Sequence, residues 1–190
     1  MPTIDDPRLT IPQCQFLQPV TTVHENPWFS VKNRGGYFTI EYNTPQVLIL
    51  PILDNRAIVM VRVYRPVIAD NTLELPAGGA NENESPVETA AREFREETGI
   101  FIEDINRFEM LPPLIHMPRS PFLPFIFKVL IKENEFVSKE NHDDEIQKVE
   151  SFQFSEVINK IINGEIYVGL HIAIMVRYLA QRDTDSLRVI

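Results

Sequence analysis

The stretch from Gly78 to Ile100 reads GGANENESPVETAAREFREETGI, and it decides the fold because it contains both ends of a helix and the chemistry carried on it. Ser85 suits the N-cap, Pro86 fits the first helical position where its missing N–H costs nothing, and Glu88 completes a capping box. Val87, Ala90, Ala91 and Phe94 recur as a narrow apolar stripe. Gly99 falls where a left-handed terminator belongs, so the spacing predicts a helix over 86–98. Glu93, Glu96 and Glu97 stand three and four residues apart, which turns three carboxylates toward one volume. Like charges so placed destabilise a bare helix unless they face solvent or a compensating cation. Oxygen donors of this type suit magnesium or manganese. A helix of mixed Glu and Arg is also the ordinary make-up of a solvated face, with Arg92 or Arg95 pairing neighbouring carboxylates. The preceding Pro76-Ala77-Gly78-Gly79 shifts the balance, because so compact a backbone can turn the Ala77 carbonyl toward cations held by the helix. The same run is expected to leave regular strand pairing.

Upstream, VLILPIL (47–53) and AIVMVRVYR (57–65) flank Asp54-Asn55-Arg56 and read as an antiparallel hairpin near the core, with a third short strand over 71–75. Further back, two β-prone runs from Phe29 to Tyr42 surround Asn33-Arg34-Gly35-Gly36 and predict a smaller hairpin. The proline-studded start reads as an extended arm with at most one edge strand. Downstream, strands are expected within 107–113, over 122–131 and over 148–154, with PPLIHMPRS as a loop. Ser155 repeats the capping logic for a helix through Ile162, and a last helix is expected over 169–182. The order is neither regular βαβ alternation nor a repeat, and points to a mixed sheet with helices packed on it. Residues 1–44 form an N-terminal appendage and 45–190 the main domain.

The chain has 190 residues, 44% hydrophobic and 24% charged, enough for one generous domain with a sizeable core. Its 18 basic and 27 acidic side chains give a net charge of -9, which argues against nucleic-acid partners that need a broad basic surface. A phosphate site assisted by a metal stays open, because a local cation inverts that field. Cys14 alone supports neither a disulfide framework nor a cysteine-rich zinc site, and its surroundings suggest no covalent intermediate. With acids and prolines at the start and no long uncharged apolar run, the expectation is a cytoplasmic protein without a membrane partner.

The acidic stretch resembles the signature of the Nudix hydrolase family. Gly78, Glu84, Arg92, Glu93, Phe94, Glu96, Glu97, Gly99 and Ile100 fill that pattern in its fixed register. The resemblance implies an α+β fold, an αβα sandwich around a mixed sheet, and a pyrophosphohydrolase dependent on Mg2+ with Mn2+ as substitute. It implies that Glu93, Glu96 and Glu97 bind the metal together with the Ala77 carbonyl. Glu84 and Arg92 are expected to pair structurally, with an outer-sphere metal contact as the second reading of Glu84, while Gly78 and Gly99 shape the backbone. The general base is expected at Glu145, in the polar loop Asn141 to Glu145, with Glu96 as the alternative.

LELPAGG, VYRP and the N-terminal appendage look like the branch that hydrolyses ADP-ribose and nucleoside-diphosphate sugars. By that resemblance Arg65 contacts phosphate, its forked donors matching paired oxygens; a structural ion pair at a strand end is the other reading. Trp28 and Arg34 are expected at the nucleoside, Trp28 by stacking or else by packing alone, with Tyr37 or Phe38 completing the surface. His116 and Arg119 either approach the substrate's terminal group or stay in solvent. The expected products are a nucleoside monophosphate and a sugar phosphate. The chain departs from the branch at Ser120-Pro121-Phe122, where the branch often has serine-proline-glycine followed by an acid. That departure leaves room for a nucleoside diphosphate linked to a different group, or for a non-catalytic homodimer that binds such ligands. A homodimer through the N-terminal region, with exchanged appendages, is implied by the same branch.

Overall fold

A computed structural model describes residues 17–121 and 123–187, by backbone alone from 183 onward. The strands, in chain order, begin with β1 (Val20–Glu25), β2 (Phe29–Arg34) and β3 (Tyr37–Tyr42). Next come β4 (Gln46–Leu53), β5 (Ala57–Arg65), β6 (Asp70–Glu74) and β7 (Ala77–Gly79), which leads into helix α1 (Pro86–Thr98). Then follow β8 (Glu109–Leu111), β9 (Phe125–Ile131), α2 (Glu133–Val137), β10 (Ile146–Gln153), α3 (Phe154–Ile162) and α4 (Gly169–Leu187).

Alternation along the central strands makes two cores. Val47, Ile49 and Leu53 of β4 join Val59 and Val61 of β5 on one face, where Ala90 and Phe94 of α1 close over them. Leu48, Leu50 and Ile52 join Ile58 and Met60 on the other, beneath Val157 of α3 and Ile174 and Met175 of α4. A strand with period two and apolar residues on both faces can only be a sheet centre covered on both sides. The sheet is accordingly the middle layer of an αβα sandwich. Phe94 is fully buried, a contribution of about 1.5–3 kcal/mol from burial alone.

The sheet runs β10-β5-β4-β9-β8, with β6 added to β5 and β7 to β4. Only β4 and β9 are parallel, residue 47 facing 125 and 53 facing 131; every other pairing is antiparallel. The expected hairpin of β4 and β5 survives for two pairs, Ile52↔Ile58 and Leu53↔Ala57. Beyond them the strands part, β5 continuing with β10 and β6 while β4 takes up β7. Pro51 lies in the gap between those two partners of β4, so its missing N–H removes no ladder bond.

The glycine run also departs from expectation. Ala77–Gly79 is a paired strand, Val47 facing Gly78 and Leu48 facing Ala77, with Ile49 N–H donating to the Pro76 carbonyl at 2.8 Å. Tertiary pairing with a strong central strand overrides a weak local propensity here. Helix α3 starts two residues early, capped by Gln153 and Glu156 rather than by Ser155. β9 starts after Pro124, and α4 runs to Leu187.

β1, β2 and β3 form a separate three-stranded antiparallel sheet. Gly35 and Gly36 take positive φ in the turn between β2 and β3, and Asn33 Oδ1 accepts from Gly36 N–H at 2.8 Å. Among the described residues no helix is long and apolar enough to cross a membrane.

Candidate active site

Helix α1 is capped as its sequence requires: Ser85 and Glu88 exchange bonds in a capping box, and Gly99 ends the helix at φ 70° while donating to the Arg95 carbonyl. These fixed ends hold the acidic face of α1 against β7. In β7 the neighbours Pro76 and Ala80 bond toward β4, whereas Ala77 N–H turns the other way and donates to Glu97 Oε2 at 3.0 Å. The Ala77 carbonyl belongs to that same outward edge. Gly79 presents its carbonyl there as well, to Arg92 Nη2 at 2.8 Å. Gly78 lies between them, and a Cβ on it would fall on the Glu93 carboxylate. Glycine at 78 is thus what leaves the Glu93 carboxylate its place against β7.

Arg92 braces this junction. Its Nε and Nη2 take the two oxygens of Glu84, both at 2.9 Å, and Nη1 reaches Glu96 at 2.7 Å and Glu93 at 2.9 Å. Glu84 in turn accepts from Asn81 N–H and Thr89 Oγ1, which ties the loop before α1 to the helix. The Arg92 bond holds the Glu84 carboxyl down at about 2. Glu97 is opposite in character: burial pushes its carboxyl up to about 8, and the nearby charge of Glu93 acts the same way against Ala77 N–H and Arg65. Burial also raises Glu93, against the pull of Arg92. Among the described residues no three acidic, histidine or cysteine groups close around one point. The carboxylates instead line one helix face, with Arg92 touching Glu93 and Glu96.

Such a face fits a divalent cation. Burial raises two of its carboxyls, a cost that a cation would offset, and a backbone edge stands beside them. A cation there would supply the positive charge that Arg92, drawn to Glu84, supplies only in part.

Next to β7 opens a pocket of about 370 Å³, in the gap where β4 and β5 part, reached by Arg65, Glu74, Gly78, His116 and His171. Arg65 is paired by Nε and Nη2 with both oxygens of Glu74 at 2.8 and 2.9 Å, with 45% of its side chain exposed. Glu145 is exposed in the loop before β10, close enough for its charge to help raise Arg65 together with those of Glu74 and Glu97. That loop is fastened to α1 by Asp143 N–H on the Glu96 carbonyl and Glu140 N–H on the Gly99 carbonyl, each 2.8 Å.

The N-terminal candidates lie apart from this pocket's lining. Trp28 is 73% exposed between β1 and β2. Arg34 is held by Glu41 at 2.7 and 3.0 Å. Burial of Glu41 works against ionisation, yet bonds from Arg34, Thr39 and Lys32 bring its carboxyl down to about 2. Tyr37 stacks with Arg119. Cys14, Phe122 and the arm through residue 16 lie outside the described residues. Sequence reasoning missed His171 and Glu74, which read there as helix and strand residues without a motif.

An αβα sandwich that sets an acidic, arginine-braced helix against a glycine strand is the arrangement of one domain class. The chain belongs to the Nudix family: the NUDIX domain matches residues 43–168. Nudix domains generally use a divalent metal, often Mg2+, for catalysis. The chain is 27% identical over 125 residues to an ADP-ribose pyrophosphatase of Bacillus subtilis (strain 168), covering 64% of each. It is 38% identical over 60 residues to a methanol dehydrogenase activator of Bacillus methanolicus, covering 32% of each. It thus spans less than two thirds of the length of these curated relatives. Among solved structures, an ADP compounds hydrolase superposes with a TM-score of 0.61 at 20% identity, over 87% of this chain and 93% of that one.

Proposed function

We propose that the protein hydrolyses the diphosphate linkage of ADP-ribose or a related nucleoside-diphosphate sugar, giving AMP or another nucleoside monophosphate and a sugar phosphate. The observation that carries this reading is the junction of β7 and α1, where Gly78 admits the Glu93 carboxylate and Glu97 bonds Ala77 N–H beside an open pocket. The similarity to an ADP-ribose pyrophosphatase supports the substrate class.

In this reading Glu93, Glu96 and Glu97 with the Ala77 carbonyl would hold Mg2+, or Mn2+ in its place. When bound, the ion supplies charge neutralisation for the diphosphate and lowers the pKa of water. Glu145 is the general base: it is exposed near Arg65, whereas Glu96 is already engaged by Arg92. As the attacking water forms its bond to phosphorus, Glu145 takes its proton, and the P–O bond to the leaving phosphate breaks. Arg65 orients the diphosphate at the pocket while Glu74 fixes the guanidinium plane. Glu84 and Arg92 keep the loop and helix in register, and Gly99 admits the Glu140 backbone against the helix end.

Residues 1–44 are the dimerisation element and 45–190 the hydrolase domain. Phe38 and Ile40 share one face of β3 and are exposed, as are Val23, Trp28 and Tyr37 elsewhere in this unit, apolar area that a second copy of the chain would cover. Trp28 and Arg34 then meet the nucleoside across that interface. Light scattering on the full chain and on a 1–42 deletion tests the interface; monomer mass in both samples would reject it. The activity is tested by product release from ADP-ribose, ADP-glucose, GDP-mannose, NADH, diadenosine polyphosphates and 8-oxo-dGTP with magnesium or manganese. Preferred release of AMP and ribose phosphate from ADP-ribose supports the reading, and turnover confined to the last two substrates overturns it.

A further inference from the structure

His171 stands out among the pocket residues because it is 7% exposed, belongs to no motif and yet lines the cavity. Its Nδ1 accepts from Leu75 N–H at 2.8 Å. A nitrogen that accepts carries no proton, so the imidazole is fixed as the tautomer with hydrogen on Nε2. A second proton could enter only at Nδ1, at the cost of a buried backbone bond. His171 is therefore a neutral donor with one direction. Nε2 lies 3.8 Å from Glu74 Oε2, beyond a direct hydrogen bond. Glu74 Oε1 accepts from Arg65 and Thr72, while Oε2 accepts from Arg65 and keeps capacity for one more donor.

We infer that His171 and Glu74 form a subsite for a sugar hydroxyl, His171 Nε2–H donating to the hydroxyl oxygen and Glu74 Oε2 receiving the hydroxyl hydrogen. A single oxygen within ordinary hydrogen-bond reach of both groups fits a separation of 3.8 Å. A phosphate oxygen would satisfy His171 but meet the Glu74 charge, and an ammonium would satisfy Glu74 but meet the His171 donor. A hydroxyl, which both accepts and donates, satisfies the two at once. The inference rests on the reading that the pocket receives a nucleoside-diphosphate sugar, and adds which part of that molecule the corner recognises. The hydroxyl belongs either to the distal sugar or to the nucleoside's ribose, and the ligands of the test separate these sources.

His171→Asn is the informative variant, since its Oδ1 can replace Nδ1 on Leu75 N–H while no atom replaces Nε2. His171→Gln reaches further and can restore a donor. Calorimetry in magnesium would measure the α,β-methylene analogue of ADP-ribose, the same molecule without its distal ribose, and the same molecule with a 2′,3′-dideoxy nucleoside. For the parent analogue His171→Asn should bind about 10- to 100-fold more weakly than wild type, and His171→Gln within about threefold of it. The loss should vanish for one of the two truncated ligands, which identifies the sugar. The wild-type protein should lose a similar factor toward that ligand, a measurement independent of whether the variants fold. Equal weakening by His171→Asn toward all three ligands, or none toward any, overturns the subsite alone. Failure of the wild-type protein to bind any of them overturns the proposed function and the subsite together.

Discussion

Replacing Gly78 by alanine puts one methyl group where the Glu93 carboxylate lies. Gly78 does not have a left-handed backbone, so the collision is the whole perturbation and no dihedral strain adds to it. Either Glu93 swings off its position or β7 backs away from α1. Overpacking of this kind costs about 1–3 kcal/mol, which for a chain of this length lowers Tm by roughly 2–12 °C. Glu93 displaced from the acidic face should also weaken divalent-ion binding by about 10- to 100-fold. Gly79→Ala is the control: its Cβ would meet Gln46 Nε2 at 3.0 Å and Thr44 Oγ1 at 3.1 Å, both ends of side chains that can give way. That variant should stay within about 1 kcal/mol of the wild type. Scanning calorimetry reads the first quantity and manganese titration followed by electron paramagnetic resonance the second. If Gly78→Ala and Gly79→Ala prove alike in both, the close approach of β7 to Glu93 is not what shapes the site.

Glu97→Gln keeps the shape of the side chain and its bond to Ala77 through the amide oxygen, but cannot ionise to hold a cation; turnover of the preferred substrate should fall at least about a hundredfold, and near-wild-type rates at saturating magnesium would reject its role. Arg92→Lys cannot bond Glu84 with two nitrogens and still reach Gly79 and Glu96, so chemical denaturation should show a loss of about 1–3 kcal/mol, with no loss refuting the brace. Burial holds His171 at about 4, below the ordinary value of 6.5, so the unfolded chain binds its proton first as pH falls. Its contribution is present above pH 6.5 and is lost on acidification toward about 4. His171→Gln should lack that component of the stability profile, and identical profiles of the two proteins would contradict a neutral buried imidazole.

Helix α1 was legible because its determinants are local: Ser85, Pro86, Glu88 and Gly99 act on their own backbone within a turn. The alternation of β4 and β5 was legible for a similar reason, since period two survives wherever both faces are covered. β7 was not, because alanine and two glycines carry no strand preference and pair only because β4 offers an edge. The parting of β4 and β5 depends on a segment more than twenty residues downstream, which no reading of the hairpin alone contains. At the site, the carboxylates and Arg92 were visible from their register. The position of Arg65 at a strand end suits an ion pair, but its partner Glu74 is set only by the pairing of β5 with β6. His171 could not be singled out, since its neighbours Glu74 and Leu75 are almost a hundred residues away.

The fastening of the 138–145 loop to α1 has an evolutionary consequence. Both moorings, Glu140 on Gly99 and Asp143 on Glu96, are made by amides and carbonyls that every residue except proline can offer. Side chains along the loop are free to vary without casting it adrift from the helix. Proline at 140 or 143, or a side chain at 99 where the Glu140 carbonyl leaves no room, would cut these backbone ties. Side chains of the loop other than the Glu145 carboxylate can therefore drift in evolution while the acidic helix and its companion loop keep their bearing.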